Sequence, residues 1–416
     1  MNKILLQIII FLYLLTTASG IINNILFKIF ILSLVLCSCV INISLVKHRT
    51  SKWNRFYFIS LVFYLILVLT GLRFNNPEFT FFSEIFKVML FSLLLLAIYA
   101  YALGNKSMSS YLFNDLIITP ISLVVIINFL YYIFDINFLV KNESQYLGEG
   151  VVLNNFFGIS LERINFPFVS NVVTFGVLSG VLFLGSLYSF FGKIRIKSSL
   201  FGILLGSLGL LVVDFRSGIF SVFFSVLYVF LARKKVVFFV FPAILFFGPI
   251  LLLILSSWVV ENGFGDIISR NQYELETGNS RFIIWAITLS EIMDFKWIHL
   301  IGFGQFGAFA SGRSYEWANF FIKFPNPYLT SAHNTYFNLF YDAGYVGITL
   351  YLLLSLYMFK MLSLLRRKQV ISNQLISFFV FFGLIGISDS TIGFHSTIHL
   401  LIFCIPSIIL LTSKEL

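Results

Sequence analysis

Few side chains in this 416-residue sequence are able to do chemistry, and they fall in a handful of places. Histidine suits proton transfer near neutrality. His333 lies in Ser331-Ala332-His333-Asn334-Thr335-Tyr336, where a long mixed stretch gives way to an apolar run. It reads as a general base or as a hydrogen-bonded residue at a helix end. Two arginines suit anion binding, because a guanidinium grips phosphate bidentately and keeps its charge. Arg216, in Asp214-Phe215-Arg216-Ser217, either forms a fixed cation on the floor of a cavity or snorkels and pairs with Asp214. Arg281, in Gly278-Asn279-Ser280-Arg281, either stands at a helix N-terminus capped by the Gly-Asn-Ser approach or is a solvated loop residue.

Two other patterns are weaker. Gly302-Phe303-Gly304-Gln305-Phe306-Gly307 spells a dinucleotide fingerprint, but no strand precedes it, so a tight turn is the better reading. His395 and His399 are spaced i, i+4, as metal ligands can be, but no glutamate motif or third ligand accompanies them. Packing, or lining a polar cavity, fits them better.

The elements that must position these residues are membrane helices. The chain is 59% hydrophobic and 11% charged, with a mean hydropathy of +0.95, which excludes an ordinary soluble domain. Apolar runs predict an all-α polytopic membrane protein with helices near 4–20, 22–46, 56–72, 81–103, 111–134, 168–191, 199–213, 217–232, 236–260, 334–359, 372–388 and 395–412. Short connections holding Lys47, Arg49, Arg195, Arg233, Arg366 and Arg367 alternate with less basic ones. The positive-inside rule makes the basic side cytoplasmic, with both termini inside. Much of the +10 charge is then an orientation signal and not a sign of nucleic acid. The first segment also resembles a signal peptide, and the immediate resumption of apolar sequence at Ile21 favours an uncleaved helix. Cys37, Cys39 and Cys404 lie in apolar helices and read as small core residues.

A single integral membrane bundle over 1–416 is expected, with no linker or internal repeat. Two outer connections are long, 135–167 and 261–332, and the second should cap the cavity. Its segment from Ser280 to Phe295 has no breaker and predicts an amphipathic helix on the outer surface. The runs flanking Asp214–Ser217 hold about 15 residues each. At ~1.5 Å per residue they reach roughly 23 Å, short of a ~30 Å hydrocarbon core. The turn carrying Arg216 is therefore drawn below the outer surface.

In order, SRFIIWAITLSEIM, LIGFGQFG and SAHNTYFNLFYDAGYVGITLYL resemble the O-antigen polymerase and ligase superfamily. Upstream, DFRSG is similar to that family's Ser-Arg turn with the order reversed, and LERINFPFVSNVVTFGVL resembles its Arg-then-Asn element. The resemblance spans roughly 160–355. It implies a metal-independent, inverting glycosyltransferase with no cofactor, working at the periplasmic face of the bacterial inner membrane. Its donor and acceptor would be undecaprenyl-pyrophosphate-linked oligosaccharides, and its partners membrane lipid and a polysaccharide chain-length regulator. His333 would be the base, Arg216 and Arg281 would hold pyrophosphate, and Arg163, Asn171, Asn334 and Tyr336 would line the substrate site. The abundance of Phe, 53 residues, with Ile, Leu, Asn and Lys, residues of A/T-rich codons common in O-antigen gene clusters, favours a polymerase over a ligase. A lipid-linked oligosaccharide flippase would instead show short outer loops and an internal repeat.

Overall fold

The computed structural model describes residues 2–18, 31–36, 38, 57–62, 64–65, 81–105, 109–134, 163–164, 166, 168–169, 171–231, 248, 280–304, 306–321, 327–365, 369–391 and 397–412. All regular structure among them is helical. The principal helices are α1 (Asn2–Ala18), α2 (Phe81–Gly104), α3 (Ser109–Phe113), α4 (Thr119–Ile133), α5 (Val172–Phe191), α6 (Ile196–Val212), α7 (Arg216–Leu231), α8 (Arg281–Met293), α9 (Thr335–Leu365), α10 (Gln369–Ser388) and α11 (Thr397–Thr412). A π-helical turn, Asn114–Ile118, joins α3 to α4.

Among the described residues, four stretches are long and apolar enough to cross a membrane: Tyr111–Ile133, Val172–Phe191, Thr335–Leu362 and Ile371–Ser388. α6 and α7 are shorter apolar helices, as their sequence predicts. They leave Leu200, Phe201, Leu204, Phe220, Phe223 and Phe224 exposed. A contiguous apolar surface of this kind is tolerable only against lipid or a partner. The expected spans at 22–46, 56–72 and 236–260, most of the 135–167 connection, Cys37, Cys39 and His395 lie largely or wholly outside the described residues.

α10 forms the centre of the bundle, packed against α5, α7 and α9. Phe378 and Phe382 stack on one another, and Phe382 and Phe379 meet Phe403 of α11. One polar thread crosses this apolar core. Gln374 Nε2 of α10 donates to Ser189 Oγ of α5 at 2.7 Å, and Ser189 Oγ donates to Asn114 Oδ1 in the π turn at 2.7 Å. Hydrogen bonding offsets the cost of burying the Gln374 amide nitrogen, the Ser189 hydroxyl and the Asn114 carbonyl oxygen. Next to Asn114, Asp115 pairs with Lys3 at 2.7 Å and with Arg195 at 2.8 Å. The start of α1, the π turn and the α5–α6 connection therefore share one end of the bundle, as the charge alternation predicts for Lys3 and Arg195.

The outer connection has its own small core. Ile284, Trp285, Trp317, Phe321 and Ala332 bury their side chains against Phe337, Phe340 and Tyr341 of α9. The helix expected over 280–295 is present as α8. It runs beside the first half of α9 in the same direction. Trp285 Nε1 donates to the Ala332 carbonyl at 3.1 Å, Tyr341 OH to Thr288 Oγ1 at 3.5 Å, and Tyr345 OH to the Ile292 carbonyl at 2.7 Å. This parallel register brings Arg281, the first residue of α8, to the end of α9 where His333 lies.

α9 is broken at Gly344, whose φ of 64° and ψ of −162° only glycine adopts readily. The break frees two carbonyls, and the Gly302–Gly304 turn takes them. Phe303 N–H donates to Tyr341 O at 2.7 Å and Gly304 N–H to Asp342 O at 3.0 Å. The glycine-rich motif is thus a tight turn, and it docks the cap onto the broken helix.

Candidate active site

His333 is held by the residues on either side of it. Asn334, fully buried, caps α9 by accepting from Tyr336 N–H and Phe337 N–H at 2.9 and 3.1 Å through Oδ1. Its Nδ2 donates to Ile387 O at 2.7 Å, tying α9 to the end of α10. Thr335 Oγ1 meets Thr391 Oγ1 at 3.1 Å and the Asp389 carbonyl at 3.2 Å. Between these anchors and Ala332, whose carbonyl is held by Trp285, His333 adopts a left-handed φ of 49°. A non-glycine residue in this region persists only when its surroundings over-determine it, a condition associated with functional sites.

The imidazole faces Asp389. His333 Nδ1 lies 3.5 Å from Asp389 Oδ1, and Arg281 Nη2 donates to Asp389 Oδ2 at 3.3 Å. Arg281 from the cap and His333 just before α9 therefore converge on one carboxylate, that of Asp389 after α10. Burial alone would raise the Asp389 carboxyl, but the Arg281 guanidinium and the His333 contact together hold it below the ordinary aspartate value. The carboxylate is kept charged, as is needed to orient an imidazole and to stabilise it once protonated. His333 Nε2 has no hydrogen-bond partner among the described residues. Both ring nitrogens are enclosed, so Nε2 is an unpartnered nitrogen inside the fold.

The remaining candidate residues lie elsewhere. Arg163 Nε donates to the Val213 carbonyl at 3.1 Å, which places it on the turn that carries Arg216. Arg216, one-fifth exposed, lies 4.0 Å from Asp214 Oδ2, so the pairing that competes with a cavity role is present. Phe215 is buried between Gly176 and Gly218, and that wedge holds the turn in place. The structure thus joins Arg281 to His333 through Asp389 and groups Arg163 with Arg216. Asn171 is the N-cap of α5, accepting from Thr174 N–H at 2.7 Å.

One expectation changes. Ser280 occupies the N-cap position of α8 but is left-handed, at φ 67°, and its side chain does not cap the helix, because that backbone turns the hydroxyl away. Asn334 uses both ends of its amide within the fold. Tyr336 is buried with its ring against Tyr351, and packing accounts for it.

Sequence reasoning passed over Asp389 as a partner of His333. Its signal is the polar run Ser388-Asp389-Ser390-Thr391 between two apolar helices. It also passed over a buried cluster in the cap. Glu291 accepts from Lys296 Nζ at 3.0 Å and faces His299 Nε2 at 3.0 Å, and Arg313 pairs with both Glu291 and Glu316. Lys296 N–H donates to His299 Nδ1, leaving Nε2 to donate to Glu291. Burial would raise the Glu291 carboxyl, but its bonds from Lys296 and Arg313 outweigh that and lower it. Its contribution to stability is therefore full above the ordinary glutamate value of 4.5 and is lost as pH falls through the depressed folded value. Glu291→Gln should reduce stability at neutral pH by about 2 kcal/mol. It should also flatten the acid limb of a thermal-melt series measured in detergent from pH 7 to pH 3.

These residues can be set beside known proteins. Residues 201–352 match the family model for O-antigen ligase. The match takes in Arg216, Arg281 and His333 and supports a place in the O-antigen polymerase and ligase superfamily. Members of that family are membrane enzymes that act on lipid-linked glycans in surface-polysaccharide assembly. Arg163 and Asp389 lie outside the matched segment. No curated protein matches the chain.

Proposed function

We propose that the chain is an O-antigen polymerase, a membrane-embedded, GT-C-like glycosyltransferase working at the periplasmic face of the inner membrane. It transfers the growing glycan from undecaprenyl pyrophosphate to a hydroxyl of a new lipid-linked repeat unit. The observation that carries this reading is His333 set against Asp389 with Arg281 on the same carboxylate. A sugar hydroxyl is a weak nucleophile until a base takes its proton. In the proposed step His333 Nε2 accepts that proton while the hydroxyl oxygen bonds to the anomeric carbon. The bond from that carbon to the pyrophosphate oxygen breaks, and undecaprenyl pyrophosphate leaves from the opposite side with inversion.

The developing pyrophosphate charge falls to arginine. Arg281 has guanidinium donors beyond the one on Asp389, and the Arg163–Arg216 turn offers a second cationic surface. Arg216→Lys tests whether a planar fork is needed. Turnover should fall about 10- to 100-fold with the protein present at normal level, since a point charge does not replace bidentate binding. Turnover within twofold of the natural protein would remove Arg216 from the site.

The description of the matched family favours a second reading, transfer of the finished glycan to lipid A core. A lipopolysaccharide gel from the host with the gene deleted and restored separates the two. Core bearing a single repeat unit and no ladder means polymerase. Bare core with lipid-linked polymer accumulating means ligase. An unchanged pattern refutes both.

A further inference from the structure

Two groups of side chains of different character stand at or near the surface of the cap. The first follows α8: Met293, Phe295, Trp297 and Ile301 are all more than half exposed, Trp297 by 80%. A tryptophan among aliphatic residues, with Lys296 between them, has the composition of a membrane-interface anchor.

The second group comprises Phe309, Tyr315 and Tyr328. Each ring lies within 6 Å of the other two: Phe309–Tyr315 at 5.7 Å, Phe309–Tyr328 at 5.6 Å and Tyr315–Tyr328 at 5.9 Å. The two tyrosine rings are parallel to within 13°, and Tyr315 is 57% exposed. Arg313 and Glu316, both partly exposed, flank Tyr315 and are paired with each other. Thr330 Oγ1 donates to the Pro327 carbonyl at 2.8 Å and accepts from Trp317 Nε1 at 3.1 Å, which fixes Tyr328 relative to the strand entering His333. Tyr328 precedes His333 by five residues, so at ~3.3–3.6 Å per residue their backbones are at most roughly 18 Å apart.

We propose that Phe309, Tyr315 and Tyr328 form a carbohydrate platform that binds sugar units of the glycan undergoing transfer. The identity of that glycan rests on the function proposed above. The polarised C–H bonds on one face of a pyranose match the negative face of an aromatic ring. Parallel, rigid rings present such faces with little conformational entropy to lose. The paired Arg313 and Glu316 supply a donor and an acceptor at the rim for ring hydroxyls.

The test is binding of an oligosaccharide released by mild acid from the host's own surface polysaccharide. It is measured with purified full-length protein by saturation-transfer NMR and titration. The natural protein should bind, Tyr315→Ala and Tyr328→Ala should each weaken binding about tenfold, and Tyr315→Phe should bind within twofold because the ring face remains. Tyr315→Ala removes an exposed ring, and its abundance in membranes checks that folding is intact. Equal binding by the natural protein and Tyr315→Ala, or no binding by either, overturns the platform.

A nitroxide on Tyr315→Cys, with Cys37, Cys39 and Cys404 replaced, reports the environment directly. Relaxation by oxygen in preference to an aqueous nickel complex would place the ring in lipid and also overturn the proposal. The gene-deletion ladder fails or succeeds independently. An unchanged ladder with Tyr315-dependent binding refutes the polymerase and ligase readings alone, and a lost ladder without binding refutes the platform alone.

Discussion

His333→Ala is expected to abolish polymer while leaving the protein inserted and abundant. The imidazole is one-quarter exposed and its ring nitrogens make no hydrogen bond that the fold depends on, so its removal leaves the Asn334 and Thr335 anchors standing. A positioned general base contributes about 10²–10⁴ in rate, and a polymer built by repeated transfer disappears at the upper end of that range. Asp389→Asn keeps the size of the side chain but removes the charge that both His333 and Arg281 face. It should lower turnover by about 10- to 100-fold, less than His333→Ala. Residues that act as one unit are non-additive, so the double variant should resemble His333→Ala alone. Turnover by membranes fed extracted lipid-linked repeat units measures all three. Normal polymer from His333→Ala would end its role as the base, and additive losses in the double variant would separate Asp389 from His333.

Gly344→Ala is expected to have the largest effect on stability. The backbone there lies in a region that is essentially closed to side chains, at about 1–3 kcal/mol of strain. An added methyl would also come within 2.5 Å of the Gly302 nitrogen, a backbone atom that cannot rotate away. Gly302→Ala meets the same contact from the other side, 2.6 Å from the Ala343 nitrogen and at a φ of 77°. Either substitution should separate the glycine turn from the Tyr341 and Asp342 carbonyls and reduce stability by about 3 kcal/mol or more. Two other glycines calibrate the series. Gly312 also has positive φ but open space around it, so Gly312→Ala should cost about 1 kcal/mol. Gly104 has open space and no such φ, so Gly104→Ala should be close to neutral. Thermal melts in one detergent rank the four, and a Gly344→Ala protein as stable as Gly104→Ala would refute the docking role of the turn.

The helices were legible in the sequence because each is specified by its own residues. Apolar runs of sufficient length identified α4, α5, α9, α10 and α11, and the breaker-free stretch after Ser280 identified α8. The brevity of α6 and α7 was legible in the same way. Residue type also singled out His333 and Arg281, since a histidine and an arginine among so many aliphatic side chains are conspicuous wherever the chain places them.

What brings those two together was not legible. Asp389 is 56 residues from His333 and 108 from Arg281, and no local pattern says that a carboxylate after α10 returns to the start of α9. That meeting depends on the parallel register of α8 on α9 and on Asn334 and Thr335 fastening α9 to the segment after α10. The grouping of Arg163 with Arg216 depends on tertiary contact in the same way. Local composition determined that this protein is a helical membrane bundle with an elaborated cap and which few side chains carry chemistry. Only the packed structure decided which of them share a site, because backbone propensity and hydrophobic periodicity act over a few turns of chain, whereas a contact across 56 or 108 residues exists only after the helices have packed.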